Sequence, residues 1–334
     1  MIEVVHFHRK PRPRAFSIER LFSYVRAYLP SDILCRKEVS PFLSGGILRR
    51  LSNIAIASLK RGEINHVTGD VHFLALGLPA RKTIVTVHDC GFLDSMTGPA
   101  RIIHSWFWFR LPLAKCQHIT AVSEATRSDL VNILGINPDK ISVIYNCIGP
   151  EYSKLRAHVD TACWTAKSAR ILMIGTAPTK NLERSAEALA GVDCTVEIIG
   201  SPSTRQLTVF NRNSVKYKVL GTVSPQEVLS AYRRSNIVLF PSLKEGFGMP
   251  IIEAQAVGRT VITSNRSSMP EVAGGAAILV NPESADSIRK GVLSAVNNSG
   301  LRNELIVRGF QNVRRFSPEY IASQYANLYR NLIG

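Results

Sequence analysis

The chain has 334 residues, 45% hydrophobic and 20% charged, which supplies two ordinary cores of roughly 150 residues each and excludes a disordered chain. Its formal net charge of +16 is uneven, because residues 1–60 hold eleven Lys/Arg against four Asp/Glu, so an anionic partner is expected on the N-terminal half: nucleic acid, an anionic leaflet or a phosphorylated acceptor. Six cysteines (Cys35, Cys90, Cys116, Cys147, Cys163 and Cys194) contain no Cys-x-x-Cys pair, which excludes a zinc ribbon and a small disulfide framework and suits a reducing cytoplasm.

The chain opens on Ile2-Glu3-Val4-Val5 and runs directly into charged residues, which does not fit a signal peptide, and no 18-residue apolar run fits a spanning helix. Short apolar strands then alternate with helical stretches, the pattern of parallel sheets with crossover helices. In the first half the strands are expected near 2–5, 64–67, 83–87, 119–122 and 141–144. In the second they are expected near 171–174, 196–199, 215–220, 237–240 and 261–263. From Gly149 to Ala169 the periodicity lapses and a linker is expected. A last helix, Ser317 to Leu332, opens with a Ser cap and a first-turn proline. The fold class is therefore α/β with two similar doubly wound halves: residues 1–160 with the linker from about 149, residues 161–315, and a terminal helix within 316–334.

Open α/β sheets bind ligands beyond the carboxyl ends of their strands. Polar residues follow the strands here at Thr68-Gly69-Asp70, His88-Asp89, Ser123-Glu124, Gly175 to Asn181 and Glu245. The richest stretch is Glu245-Gly246-Phe247-Gly248-Met249-Pro250-Ile251-Ile252-Glu253, read as the exit of a buried strand into a helix whose first position suits Pro250. Gly246 and Gly248 remove Cβ atoms that would hold a ligand off the backbone. The helix N–H groups and dipole suit a diphosphate, Glu253 in the first turn suits ribose hydroxyls, and Glu245 suits a sugar. Lys180, five residues after Gly175 in the run Gly175-Thr176-Ala177-Pro178-Thr179-Lys180-Asn181, is placed to neutralise charge growing on a departing phosphate.

The 245–253 segment, with Ala254 to Gly258 and Ser268-Met269-Pro270-Glu271-Val272, resembles the signature of retaining glycosyltransferases of family 4. His88-Asp89 resembles the His-Asp pair of many members of that family, and weaker matches cover Ala121-Val122-Ser123-Glu124, Tyr145 to Gly149 and Asn281-Pro282. His8-Arg9-Lys10-Pro11, Ser17 to Phe22 and His66 to His72 resemble bacterial members from polysaccharide assembly. The resemblance implies a GT-B fold, two Rossmann-like domains facing a central cleft, with the last helix crossing back onto the first domain. It implies a metal-independent enzyme without a cofactor that moves a sugar from a GDP- or UDP-sugar to a saccharide or lipid-linked acceptor, the departing phosphate drawing the acceptor proton. Glu245, His88 and Lys180 are the expected catalytic groups. Gly175, Thr176, Lys180, Gly246, Phe247, Gly248, Met249, Pro250 and Glu253 are expected on the donor, and Arg9, Lys10, Asp70 and Asp89 on the acceptor side.

Two departures stand out: Thr179 occupies a position where the family commonly has arginine, for which Arg184 or Arg205 could compensate, and the glycine-rich loop near the N-terminus is missing. Without that loop, Arg12 and Arg14 join Arg9 and Lys10 as candidate contacts to a phosphorylated acceptor. Ser123 and Asn146 read equally as a helix cap and a turn residue. The run Trp106-Phe107-Trp108-Phe109, between Arg101 and Lys115, reads first as core packing and second as an interfacial segment that would place the protein on the inner face of the membrane. There is no Asp-x-Asp, Gly-x-Gly-x-x-Gly or Walker-type loop. A GT-B sugar-nucleotide epimerase is the rival enzyme, and a basic nucleic-acid-binding protein the rival of another class, although no recognised nucleic-acid motif supports the latter.

Overall fold

The computed structural model describes residues 1–11, 17–91, 106–153 and 168–333. Arg12, Arg14, Arg101, Cys163 and most of the 149–169 stretch lie outside the described residues. The chain forms two compact units, Met1–Cys147 with Ser317–Gly334, and Ile148–Phe316.

In the first unit, six parallel strands, β1 (Ile2–His8), β2 (Ile33–Val39), β3 (Ile64–Val67), β4 (Thr83–Val87), β5 (His118–Ala121) and β6 (Ile141–Val143), lie in the order β2-β1-β3-β4-β5-β6. Both faces are covered, so side chains alternate between two cores. Val5, Phe7, Val67, Val85 and Val87 point into one. Val4, Ile64 and Ile84 point into the other, where helices Ser17–Ala27 and Pro318–Asn331 pack through Phe22, Tyr325 and Tyr329. His6 lies in register with His66 on that second face, and the Tyr329 hydroxyl bonds both rings, at 2.8 and 2.7 Å. The buried network continues from His66 to Thr86 at 2.7 Å and from Thr86 to Thr120 at 2.6 Å. On its other side Arg26 lies 2.9 Å from His8. Burial holds His6 and His66 well below the usual imidazole range and pushes His8 down to about 3.

The second unit repeats the plan with β7 (Ala169–Ile174), β8 (Cys194–Ile199), β9 (Lys216–Gly221), β10 (Ile237–Phe240), β11 (Thr260–Ser264) and β12 (Ile278–Val280), in the order β12-β11-β10-β7-β8-β9. The chain leaves β7 toward one edge and returns to its other side at β10. β7 and β10 therefore flank the point where the winding reverses, and their exits open the crevice that such sheets offer a ligand.

Strands β3, β4 and β10 have the bounds expected from the sequence, while β2 and β12 were not expected. Both unexpected strands are sheet edges. β2 carries Arg36, Lys37 and Glu38 within its run, and β12 has three residues, so neither presents the continuous apolar signature of a strand covered on both faces. The terminal helix begins at Pro318, and the Ser317 side chain accepts from the Tyr320 N–H as its cap. Among the described residues, no helix is long and apolar enough to cross a membrane.

Candidate functional site

The exit of β7 turns sharply at Gly175, whose φ of 86° favours glycine and whose N–H donates to the Ile199 carbonyl at 2.9 Å. A Cβ there would also lie 3.0 Å from Cε of Lys180, because the lysine stem folds back over this backbone. Thr176 has its hydroxyl bonded to the Ser201 carbonyl at 3.1 Å and its own carbonyl held by Gln206 at 3.0 Å, so it braces the turn. After one short turn over Pro178–Lys180, Asn181 takes the left-handed conformation, and its amide donates to the carbonyls of Pro241 and Pro282. Arg184 joins that brace, bonding Asn181 at 3.0 Å and Pro282 at 3.1 Å, while Arg205 is exposed and lies 3.8 Å from Glu183. In this arrangement neither arginine takes the place left by Thr179.

The exit of β10 lies alongside. The Leu243 N–H donates to the Thr179 carbonyl at 2.8 Å, tying the two loops together. Lys180 Nζ meets Glu245 Oε1 at 2.5 Å and stands 4.8 Å from the centre of the Phe240 ring. Both partners of this ion pair are partly exposed. Ser267 and Ser268 donate their hydroxyls to the Glu245 carbonyl, at 2.7 and 3.1 Å, and Ser268 also reaches the Phe247 carbonyl at 2.8 Å. Phe247 is buried with its ring 5.6 Å from that of Phe316, so what it can offer a ligand is backbone.

Gly248, with φ 102°, is the residue before helix Met249–Ala256, and no side chain caps that end. A substituent at 248 would meet Ile251 at 3.1 Å besides straining the backbone. Pro250 is the second helical residue rather than the first, and Glu253 falls in the second turn, one turn deeper than its sequence position suggested. The carboxylate of Glu253 accepts a 2.6 Å hydrogen bond from the fully buried Tyr232 hydroxyl. Sequence reasoning missed Tyr232. Nothing in the local pattern of helix Pro225–Arg234 distinguishes it from an ordinary core aromatic, and only the sheet order brings it to Glu253.

In the first unit the expected acceptor-side residues gather at the exits of β1, β3 and β4. Arg9 is buried and bonds Glu19 at 2.8 Å and Asp70 at 3.1 Å, so its guanidinium positions Asp70, while Lys10 is exposed. His88 lies 2.9 Å from the Thr68 carbonyl through Nε2. A carbonyl only accepts, so Nε2 carries the proton and Nδ1 of the neutral ring keeps its lone pair. Burial lowers the pKa of His88 and favours that neutral form. Asp89 is exposed and accepts from the Gly91 N–H at 3.0 Å, closing its own turn. Ser123 is the cap of helix Glu124–Leu134, bonded by the Thr126 N–H. Among the described residues, no group of three or more His, Cys, Asp or Glu side chains could hold a metal ion.

Residues 3–152 match the model of Glycosyltransferase Family 4, and residues 164–312 that of Glycosyl transferases group 1. The chain joins a glycosyltransferase family 4 domain to a group 1 glycosyl transferase domain. Among relatives, it is 33% identical over 115 residues to the O-antigen chain mannosyltransferase B of Escherichia coli, covering 34% of this chain and 30% of that one. It is 25% identical over 255 residues to the O-antigen chain mannosyltransferase RfbU of Salmonella typhimurium, covering 74% of this chain and 69% of the relative. Anabaena HepE, solved in complex with UDP and glucose, superposes with a TM-score of 0.77 at 16% identity, over 99% of this chain and 100% of that one. A glycosyltransferase from Rickettsia africae superposes at 0.76 with 19% identity, over 99% of both chains. The fold of the chain is GT-B.

Proposed function

We propose that the chain is a retaining, metal-independent glycosyltransferase that moves a sugar from a nucleoside diphosphate donor, GDP or UDP, to a saccharide or lipid-linked acceptor during cell-surface polysaccharide assembly, working at the cytoplasmic side of the membrane. The observation that carries the reading is the Lys180–Glu245 pair at the mouth between β7 and β10, beside the uncapped helix that Gly248 opens. The names of the relatives favour a mannosyl unit, and the nucleotide in the HepE complex favours a diphosphate donor.

In this reading the helix end and Lys180 receive the diphosphate. Lys180 Nζ has three donors and Glu245 takes one, leaving the others for phosphate oxygens. As the bond from sugar C1 to the diphosphate oxygen breaks, charge accumulates on that oxygen, where a fixed ammonium and backbone N–H groups stabilise it more than the ground state. Glu245, anchored by its partner lysine and by the two serines, accepts from sugar hydroxyls. Glu253, oriented by Tyr232, accepts from the ribose. The acceptor oxygen bonds C1 on the face the phosphate leaves, and its proton passes to the departing phosphate oxygen. His88 offers Nδ1 to a hydroxyl, and Asp70, Asp89 and Lys10 lie on the acceptor side.

The test is thermal stabilisation by UDP, GDP, ADP and CMP, with and without EDTA, since a ligand that binds only the folded state raises stability. One nucleotide diphosphate should stabilise the protein regardless of EDTA. No response from any nucleotide would remove the donor site, and a response abolished by EDTA would remove the metal-independent mechanism.

A further inference from the structure

Helix Ile47–Leu59 presents its first turns outward. Ile47 is 74% exposed, Leu48 80% and Leu51 56%, whereas Asn53 and Ala57 on the opposite side are buried. Three large aliphatic side chains in succession on water are unusual for a soluble surface, where isolated ones are ordinary. The helix does not stand alone. The Arg50 guanidinium lies 4.2 Å over the Trp108 ring, which joins the helix to the turn Trp106–Arg110, where Phe107 is 56% exposed and Trp106 is exposed as well. Phe109 of the same turn is buried and Trp108 packs against the core, its ring 5.5 Å from that of Phe73, so the segment anchors through two aromatics and displays two.

The charge along the two segments that carry this patch is basic, and at the far end of the helix Lys60 pairs with Glu38 at 2.7 Å. Residues 39–62 contain Arg49, Arg50, Lys60 and Arg61 and no carboxylate, and residues 106–123 contain Arg110 and Lys115 and no carboxylate. Arg49 is exposed on the outward turn, and Arg110 lies 5.6 Å from the centre of the Trp106 ring. Aliphatic and aromatic side chains that seat at the acyl boundary, ringed by cations that meet headgroup phosphates, are the composition of an interfacial helix. A protein partner of matching shape would need an apolar surface ringed by acids, while an anionic leaflet supplies both features without specific residues. We propose that helix Ile47–Leu59, together with the Trp106–Arg110 turn, docks the protein on a bilayer surface containing anionic lipid.

This deepens the lipid-linked-acceptor reading above and rests on it for its biological sense, yet its test needs no turnover. The full chain is floated with vesicles of phosphatidylcholine alone and of equimolar phosphatidylcholine and phosphatidylglycerol, for the wild type and for the variants Ile47→Ser with Leu48→Ser, Trp106→Ser with Phe107→Ser, and Arg49→Glu. The wild type should partition to the anionic vesicles and not to the neutral ones, each apolar pair should lower that partition about tenfold or more, and Arg49→Glu should lower it severalfold at low salt. The substituted side chains are exposed, so an unchanged melting temperature and an unchanged nucleotide-induced stabilisation certify the fold and keep the donor site separate from the docking result.

Equal partition to both vesicle types, or variants that partition as the wild type does, overturns the proposal. So does a wild type that ignores vesicles but forms a dimer in sedimentation that the apolar variants dissolve, because the patch is then a self-interface. Retained nucleotide binding with no vesicle partition sinks the docking surface alone. The reverse outcome sinks the donor site alone.

Discussion

The two units are built on the same doubly wound plan but place their polar groups differently. In the second unit the strands near the proposed site are almost wholly apolar, and the residues proposed for the chemistry, Gly175, Lys180 and Glu245, stand where they end. In the first unit polar groups lie within the strands themselves, with His6, His66, Thr86 and Thr120 bonded in one buried chain to Tyr329. A site made of loops and a helix end can be altered with little cost to the core, whereas a buried network makes stability depend on the protonation of its members.

The comparison breaks most readily with acid. His6, His8 and His66 stay neutral in the folded first unit, well below the usual imidazole pKa near 6.5, but take up protons in the unfolded chain below that value. The unfolded state therefore binds more protons, and stability that is complete above about pH 6.5 falls as the pH drops below it, the His8 contribution at about 1.4 kcal/mol per pH unit until its folded pKa of about 3 is reached. Denaturant melts between neutral pH and pH 5 should show this slope, and replacing His8 with Gln should flatten it. A first unit whose stability does not fall over this range would erase the contrast.

The site itself comes next. Lys180→Ala or Glu245→Ala should lower turnover roughly a hundredfold, the range of a single electrostatic stabiliser, with the melting temperature little changed. Because the two side chains touch, the double variant should lose far less than the product of the single effects, and simple multiplication would show that the pair does not act as one unit. A smaller effect is expected from Tyr329→Phe, which removes the hydroxyl shared by His6 and His66 and should cost about 1 to 3 kcal/mol in denaturant melts. The smallest belongs to Tyr232→Phe. Loss of one hydrogen bond to Glu253 should weaken nucleotide affinity severalfold, on the order of 1 kcal/mol, with Glu253→Ala weakening it more, as read by titration calorimetry.

Much of the fold was legible because parallel strands covered on both faces write themselves as unbroken apolar runs, as Ile237–Phe240 and Thr83–Val87 do. β2 escaped because an edge strand admits Arg36, Lys37 and Glu38. The position of the candidate residues at the strand exits was legible from the glycines and carboxylates after the strands. Their pairing was not, since Lys180 and Glu245 are 65 positions apart and meet only because β10 returns to the side of β7. The outward side of helix Ile47–Leu59 was also hidden, because an apolar run looks the same in sequence whether a neighbour covers it or water does.

The bond between His6 and Tyr329 joins positions 323 residues apart, which makes the order of synthesis matter. Domains generally fold as they emerge, the N-terminal one first. Here strand β1 leaves the ribosome early, but its buried imidazole has no hydroxyl partner until helix Pro318–Asn331 has been made, by which time residues 148–316 are complete. The half of the protein that is started first is therefore the half that is finished last, and a chain arrested before residue 318 should carry a closed second unit and an open first one.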